Sequence, residues 1–337
     1  MLLRVQHETR LSYTEPVSET VFEVRMSPPS DEDQTNLGYH LSTSPPAPVT
    51  VYRDGFGNRV DLFNILTSYR ELLIRSSSIV RTHRAAEASR KRLIETRFLP
   101  ESDAFRGAST IEYLQQSPLV KHGPEVDSFL DSLPLSEGSV AEVALRLMEA
   151  VRLRLIYEKT VTTARTPVAE ALRLGRGVCQ DFAHLFLAAA RGIGLPSRYV
   201  SGYVHQPGEL ATHAWCQVWD GRGGWIDLDP THGTFPADDY VKIGIGRDYS
   251  DVPPNRGVWK GRGQESIAVS VKVEAIERVP PDWGEWSTTQ SPWSSGAWLQ
   301  SQRQGRKGKA GQPSSYRQQQ GQQQQHQEPV IRFRPET

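Results

Sequence analysis

Cysteine is almost missing from this chain: it has two in 337 residues. Two thiols do not make a disulfide framework. Their scarcity points to a reducing, cytoplasmic location, where a lone thiol stays reduced. An excess of one charge sign is missing too, because Lys plus Arg and Asp plus Glu number 39 each. No global field therefore draws the chain to nucleic acid or to an anionic membrane. No apolar run reaches the ~20 residues that cross a bilayer. The opening Met-Leu-Leu-Arg-Val-Gln-His-Glu alternates and carries charge early, which reads as a strand and not as a secretory leader. No C-x-x-C or H-E-x-x-H spacing occurs, and Asp238-Asp239 and Asp248/Asp251 lack the calcium-loop pattern, so no metal or other cofactor is expected.

What is present changes character along the chain. Residues 1–82 alternate in the two-residue period of strands over Leu2–Tyr13, Thr20–Met26, Arg59–Leu66 and Glu71–Val80, punctuated by Pro28-Pro29 and Pro45-Pro46. This reads as a small β-rich N-terminal region. Residues 83–278 mix helices and strands. Short helices are expected near 109–116 and 124–132. Ser139 and Glu142 form a capping box ahead of an amphipathic helix to Tyr157, and Thr166-Pro167 opens another that Gly175 ends. Arg198–Val204, His213–Trp219 and Trp225–Leu228 read as strands, and Ile267–Ala275 as a closing strand. A helix followed by an antiparallel meander is an α+β arrangement. Residues 279–337, with Trp283, Trp286, Trp293 and Trp298 and then glutamine runs, carry too little apolar surface to fold alone.

Chemistry concentrates at Gly175-Arg-Gly-Val-Cys179-Gln-Asp-Phe-Ala-His184. A glycine-rich turn delivers Cys179 to the start of a strongly helical run, where free N–H groups and the positive dipole end favour thiolate, the nucleophilic form. Downstream stand His213 in Thr-His-Ala-Trp and two aspartates in Trp225-Ile-Asp227-Leu-Asp229-Pro-Thr231. Cysteine, then histidine, then aspartate on separate short elements suits covalent acyl transfer: Cys179 attacks a carbonyl, His213 moves the proton, and an acid orients the imidazole. Strand alternation puts Asp227 and Asp229 on one face and does not choose between them. Cys216 falls on the face opposite His213 and reads as core. Asp181 and His184 read as packing or supporting groups. The Cys179 N–H is the first oxyanion-donor candidate, with the second donor open.

Gly-Val-Cys-Gln-Asp-Phe-Ala-His, His-Ala-Trp and Asp-Pro-Thr-His-Gly, three separated blocks in order, resemble the transglutaminase-like core of bacterial proteins over roughly residues 140–260. The opening residues, with the Asp54-Gly-Phe-Gly-Asn58 turn, resemble the β-rich region that accompanies this core. The resemblance implies a papain-like/transglutaminase-like fold, a nucleophile helix packed on an antiparallel sheet. It implies a Cys179, His213, Asp229 triad, since the family's acid immediately precedes Pro-Thr. It also suggests that Gly246–Pro254 braces the active-site loops.

These readings converge on a cysteine enzyme acting on peptide or side-chain amides, with transfer to water or to an amine. The expected partner is a protein or peptide substrate, with no nucleic acid and no membrane. Oligomeric state is not legible. The competing reading is an inactive binding module that uses the β-rich N-terminal region.

Overall fold

The alternation of residues 2–13 produces the longest strand of the molecule. In the computed structural model, which describes residues 1–84, 94–133, 138–205, 212–281 and 283 and the backbone of 316–320, β1 runs Leu2–Val24. Every second side chain from Leu3 to Tyr13 is buried. Around Pro16, which has no N–H to give a ladder, the pairing breaks register between Ser12 and Val17. One strand therefore serves two stretches of sheet. Its first half pairs with β5 (Tyr69–Thr82) and β13 (Glu265–Ala275), its second with β4 (Arg59–Ile65) and β12 (Asn255–Lys260). β2 (Gln34–Ser44) extends the sheet from β5, β3 (Val49–Arg53) from β4, and β14 (Tyr316–Gln320) from β12. Leu11, Tyr13, Phe22, Phe63, Leu72 and Trp259 fill the space within it.

The helical part follows its apolar periodicity. Short α1 (Asp103–Arg106) and a 3-10 turn at Ile111–Leu114 precede α2 (Pro124–Asp131). α3 (Val140–Arg154) begins at the expected capping box: Ser139 Oγ accepts the Glu142 N–H at 3.2 Å, and Glu142 accepts the Ser139 N–H at 2.7 Å. β6 (Ile156–Tyr157) pairs in parallel with β7 (Arg176–Gly177), on either side of α4 (Val168–Leu174). α5 (Cys179–Gly192) is buried along almost its whole length. It packs on a four-stranded sheet of order β10 (Trp225–Leu228), β9 (Thr212–Trp219), β8 (Ser197–Val204), β11 (Tyr240–Gly246). This is the expected α+β core, a helix led by Cys179 on an antiparallel sheet.

Three elements differ from the sequence reading. Ile267–Ala275, grouped with the core by sequence order, is the edge of the N-terminal sheet and pairs with β1 from Leu3 to Tyr13. β2 and β11 carry weak strand patterns: β2 is half-buried along nearly its full length, and β11 holds Lys242 between apolar residues and a register shift before Gly244. The Trp- and Gln-rich segment lies outside the described residues, apart from Trp283 and the 316–320 backbone.

The N-terminal sheet rests directly on the core sheet. Leu3, Val5 and Val80 meet Tyr203, Val241 and Ile243 in one buried cluster. His7 is buried beside it, with Nδ1 2.7 Å from the Tyr203 hydroxyl and Nε2 3.1 Å from Thr9 Oγ1. Burial pulls this imidazole down to about 3, so it sits there neutral. Deleting residues 1–82 would expose that cluster, and the expected outcome is an insoluble remainder. A soluble remainder with a cooperative thermal transition would contradict the shared seam.

Candidate active site

The turn before the cysteine is set by two glycines. Gly175 ends α4 in the left-handed region at φ 68°, with its N–H on Ala171 O. A Cβ at Gly177 would stand 2.4 Å from Asp181 Oδ2. The missing side chain lets the Asp181 carboxylate fold back and accept the Val178 N–H at 2.8 Å, together with the Thr162 hydroxyl at 2.6 Å. Asp181 thus anchors the first turn of α5 and so the entry of Cys179. Burial raises its carboxyl to about 6, against the opposing pull of these hydrogen bonds.

Cys179 is half-buried at the first position of α5. His213 stands on β9, near enough to Cys179 for the thiol to help raise its imidazole. His213 Nε2 donates to Asp229 Oδ2 at 2.7 Å. Asp229 follows β10 and is held in an isolated bridge with Thr234. His213 and Asp229 are therefore joined directly, and Cys179 lies beside the imidazole of that pair.

Asp229 has no solvent exposure. Its Oδ1 accepts the N–H groups of Thr231 and His232 at 2.8 and 3.2 Å. Its Oδ2 accepts from His213, from His232 Nδ1 at 2.7 Å and from the Tyr240 hydroxyl at 2.8 Å. Burial works against the charged carboxylate, but the histidines and these hydrogen bonds outweigh it and hold the carboxyl well below its usual range. Burial likewise lowers His213, and the Asp229 charge and hydrogen bond, with a further contribution from Cys179, reverse this and push it up to about 10. The raised imidazole favours the folded state fully below pH 6.5 and loses that contribution as pH rises through 10; the lowered carboxyl loses its own only in strong acid.

Asp227 faces the same side, as alternation requires, but is engaged elsewhere. Its Oδ1 accepts the Trp215 indole N–H at 2.6 Å and its Oδ2 pairs with Arg84. Arg84 also reaches Asp33 at 3.5 Å, and Lys242 pairs with Asp31 at 2.8 Å and Asp33 at 3.5 Å. This buried ion network ties the N-terminal region to the strands on which His213 and Asp229 depend. Cys216 is buried on the helix side, with its thiol on Ala183 O at 3.5 Å. His184 is also fully buried: its Nε2 accepts the Tyr249 N–H at 3.3 Å, and burial lowers it to about 4. Gln180 turns its amide toward Ala164 O at 3.3 Å. In the Gly246–Pro254 segment, Asp248 accepts the Leu119 N–H at 2.8 Å, and Arg191 of α5 donates to Arg247 O at 2.5 Å, so the segment braces the helix from behind.

Sequence reasoning missed Tyr240, Arg84 and the contact of His232 with the acid. For His232 the signal was its place just after Asp-Pro-Thr. Tyr240 and Arg84 gave none, because only the folded sheet brings them in. Donor atoms of His213, Asp229 and His232 lie within 4.8 Å of one another, a set able to take a metal ion; here the two imidazoles spend these atoms as hydrogen-bond donors to the carboxylate.

Comparison with known proteins agrees with this architecture. Residues 129–230 match the transglutaminase-like superfamily core and residues 3–81 the bacterial transglutaminase-like N-terminal region. An uncharacterized protein of Mycobacterium leprae is 32% identical over 282 residues, covering 81% of this chain and 99% of that protein. A shorter match, 33% identical over 72 residues, is to a protein-glutamine gamma-glutamyltransferase of Pseudomonas aeruginosa and covers 18% of this chain and 10% of that enzyme. Among solved structures, a candidate cysteine protease of Cytophaga hutchinsonii superposes with a TM-score of 0.65 at 20% identity, covering 83% of this chain and 93% of that one. At that identity the likeness speaks for the fold alone. Among the described residues no helix is long and apolar enough to cross a membrane.

Two substitutions test the supports. Arg84→Met strands the buried Asp227 charge and is expected to cost about 3–5 kcal/mol in denaturant unfolding; a loss below about 1 kcal/mol would contradict the network. Asp181→Asn removes a carboxyl whose folded value is raised from 3.8 to about 6. The wild type, relative to this variant, should lose about 2 kcal/mol of stability as pH climbs from 4 to 6. Parallel stability curves for the two proteins would contradict it.

Proposed function

This chain belongs to the transglutaminase-like superfamily, and on that premise we propose that it is a cysteine-dependent acyl-transfer enzyme acting on amides of a peptide or protein. The observation that carries the reading is the hydrogen bond from His213 to the buried Asp229, with Cys179 beside the same imidazole. In the proposed reaction the Sγ proton passes to His213 beforehand, leaving an imidazolium beside the sulfur, and the sulfur attacks the amide carbon. The tetrahedral oxyanion sits at the α5 N-terminus, where the first helical amides lack intrahelical acceptors. His213 returns its proton to the departing amine, leaving a thioester on Cys179. Water or a second amine, deprotonated by His213, then attacks the thioester and releases the thiol. Asp229 holds the imidazole with Nε2 toward itself and stabilises the imidazolium.

Water and amine compete for one thioester, and the loops around the cleft decide between them. The Pseudomonas relative's name favours an amine acceptor, over a short stretch only. A reducing compartment, the proposed location, keeps the thiol competent. The alternative of an inactive binding module gives no role to an assembled Cys179–His213–Asp229 set.

Intact-mass labelling with limiting iodoacetamide tests the reading. Wild type should take one label at neutral pH faster than a free thiol, because the His213 imidazole stands beside the sulfur. Cys179→Ala should take none under the same conditions, and His213→Ala should label slowly at neutral pH and speed up with pH as an ordinary thiol does. Asp229→Asn should lower turnover by about 100-fold or more once a substrate is in hand. A Cys179 that labels no faster than a free thiol would overturn the proposal.

A further inference from the structure

Asp229 is gripped by two histidines, and the second holds more of it than the first. His213 takes one oxygen, Oδ2, at 2.7 Å. His232 takes both. Its backbone N–H reaches Oδ1 at 3.2 Å and its ring Nδ1 reaches Oδ2 at 2.7 Å. An ionised carboxylate only accepts, so Nδ1 carries the proton of that bond. The Tyr240 hydroxyl closes the triangle, 2.8 Å from Oδ2 and 3.2 Å from Nδ1.

The turn after Asp229 brings the second ring back onto the acid. The Asp229 N–H donates to Thr234 O at 2.8 Å, and the Gly233 N–H returns to Asp229 O at 2.8 Å. Gly233 lies in the left-handed region at φ 71°, which glycine adopts without strain. The chain therefore reverses directly after His232. The two imidazoles end with centroids 4.9 Å apart and planes tilted by 35°. The His213 side chain is 6% exposed and the His232 side chain 25%, so His232 is the outer ring of the pair. The last torsion of an aspartate side chain is broad, and a carboxylate held at one oxygen can swing about it. Contacts to both oxygens from one residue fix its plane, and with it the direction of the Oδ2 lone pair offered to His213.

We propose that His232 is a positioning residue of the acyl-transfer site: it locks the plane of Asp229 through both oxygens and thereby the orientation of His213 beside Cys179. The assignment rests on the acyl-transfer reading and adds a fourth side chain to it. His232 acts through the acid and transfers no proton of the reaction itself. Its hydrogen bond can be separated from its bulk. Asparagine carries an amide N–H donor on the same carbon that bears Nδ1 in histidine, and leucine branches at that carbon with no donor.

The test compares His232→Asn with His232→Leu in the full chain. With limiting iodoacetamide at neutral pH, His232→Leu should label Cys179 about ten-fold more slowly than wild type, the worth of one hydrogen bond to a charged group. His232→Asn should recover most of the rate. Proton NMR adds a readout that lost bulk alone does not move. The His213 Nε2–H held by Asp229 should give a downfield imidazole signal, absent from His213→Ala, kept in His232→Asn and weakened or lost in His232→Leu. A cooperative thermal transition checks the fold of each variant, and His232→Ala replaces the leucine variant if that one does not fold. Wild-type labelling with an unchanged downfield signal in the donor-less variant would overturn the assignment. So would an asparagine variant as slow as the leucine one. The expected NMR pattern in a protein whose Cys179 labels no faster than a free thiol would uphold the clamp and remove the acyl-transfer reading instead.

Discussion

A carboxylate sealed from water is tolerated only when its lone pairs are filled and a positive charge stands beside it. Asp229 meets both conditions, and much of the molecule is arranged to let it. Its two oxygens collect five hydrogen bonds, from two backbone amides, two histidines and a tyrosine. These donors come from β9, from the turn after Asp229 and from β11, so the carboxylate is where the strands around the site converge. Neutralising it would release His213, and with His213 the geometry at Cys179. The bridge to Thr234 fixes the turn in the same place from the backbone side.

The supports extend further than the core sheet. Asp227, two residues before the acid, is tied to Trp215, two residues after the histidine, and to Arg84 at the end of the N-terminal region. Asp31, Asp33 and Lys242 complete the network across the seam. Below it, Leu3, Val5 and Val80 pack on Tyr203, Val241 and Ile243. The N-terminal sheet is thus a wall of the scaffold that holds the two strands in register, whatever else its outer surface does. Such sharing explains how a short four-stranded sheet can keep three side chains of three separate elements aligned.

The sequence made legible what depends on local pattern. Cys179 was marked by the turn that delivers it, and the structure gives the physical cause: a left-handed Gly175 and a Gly177 that leaves room for Asp181. The α3 capping box and the helix led by Cys179 followed from spacing. Choosing Asp229 over Asp227 did not, because both share a strand face, and the choice came from likeness to a family. What separates them physically is a long-range partner, Arg84, 143 residues away. Tyr240 and the pairing of β13 with β1 were hidden for the same reason, since neither leaves a trace in neighbouring residues. β11 was obscured by its glycines and by a buried lysine that makes sense only beside Asp31 and Asp33.

The central claim is that the Cys179 sulfur becomes acylated. The most direct measurement is intact mass, with peptide mapping, after acid quench of the wild-type protein mixed with an activated ester. The account predicts the acyl mass on the peptide containing Cys179, lost on treatment with hydroxylamine and absent from Cys179→Ala. Acylation spread over lysines and equal in the two proteins, or none at all while the protein remains folded, would contradict it.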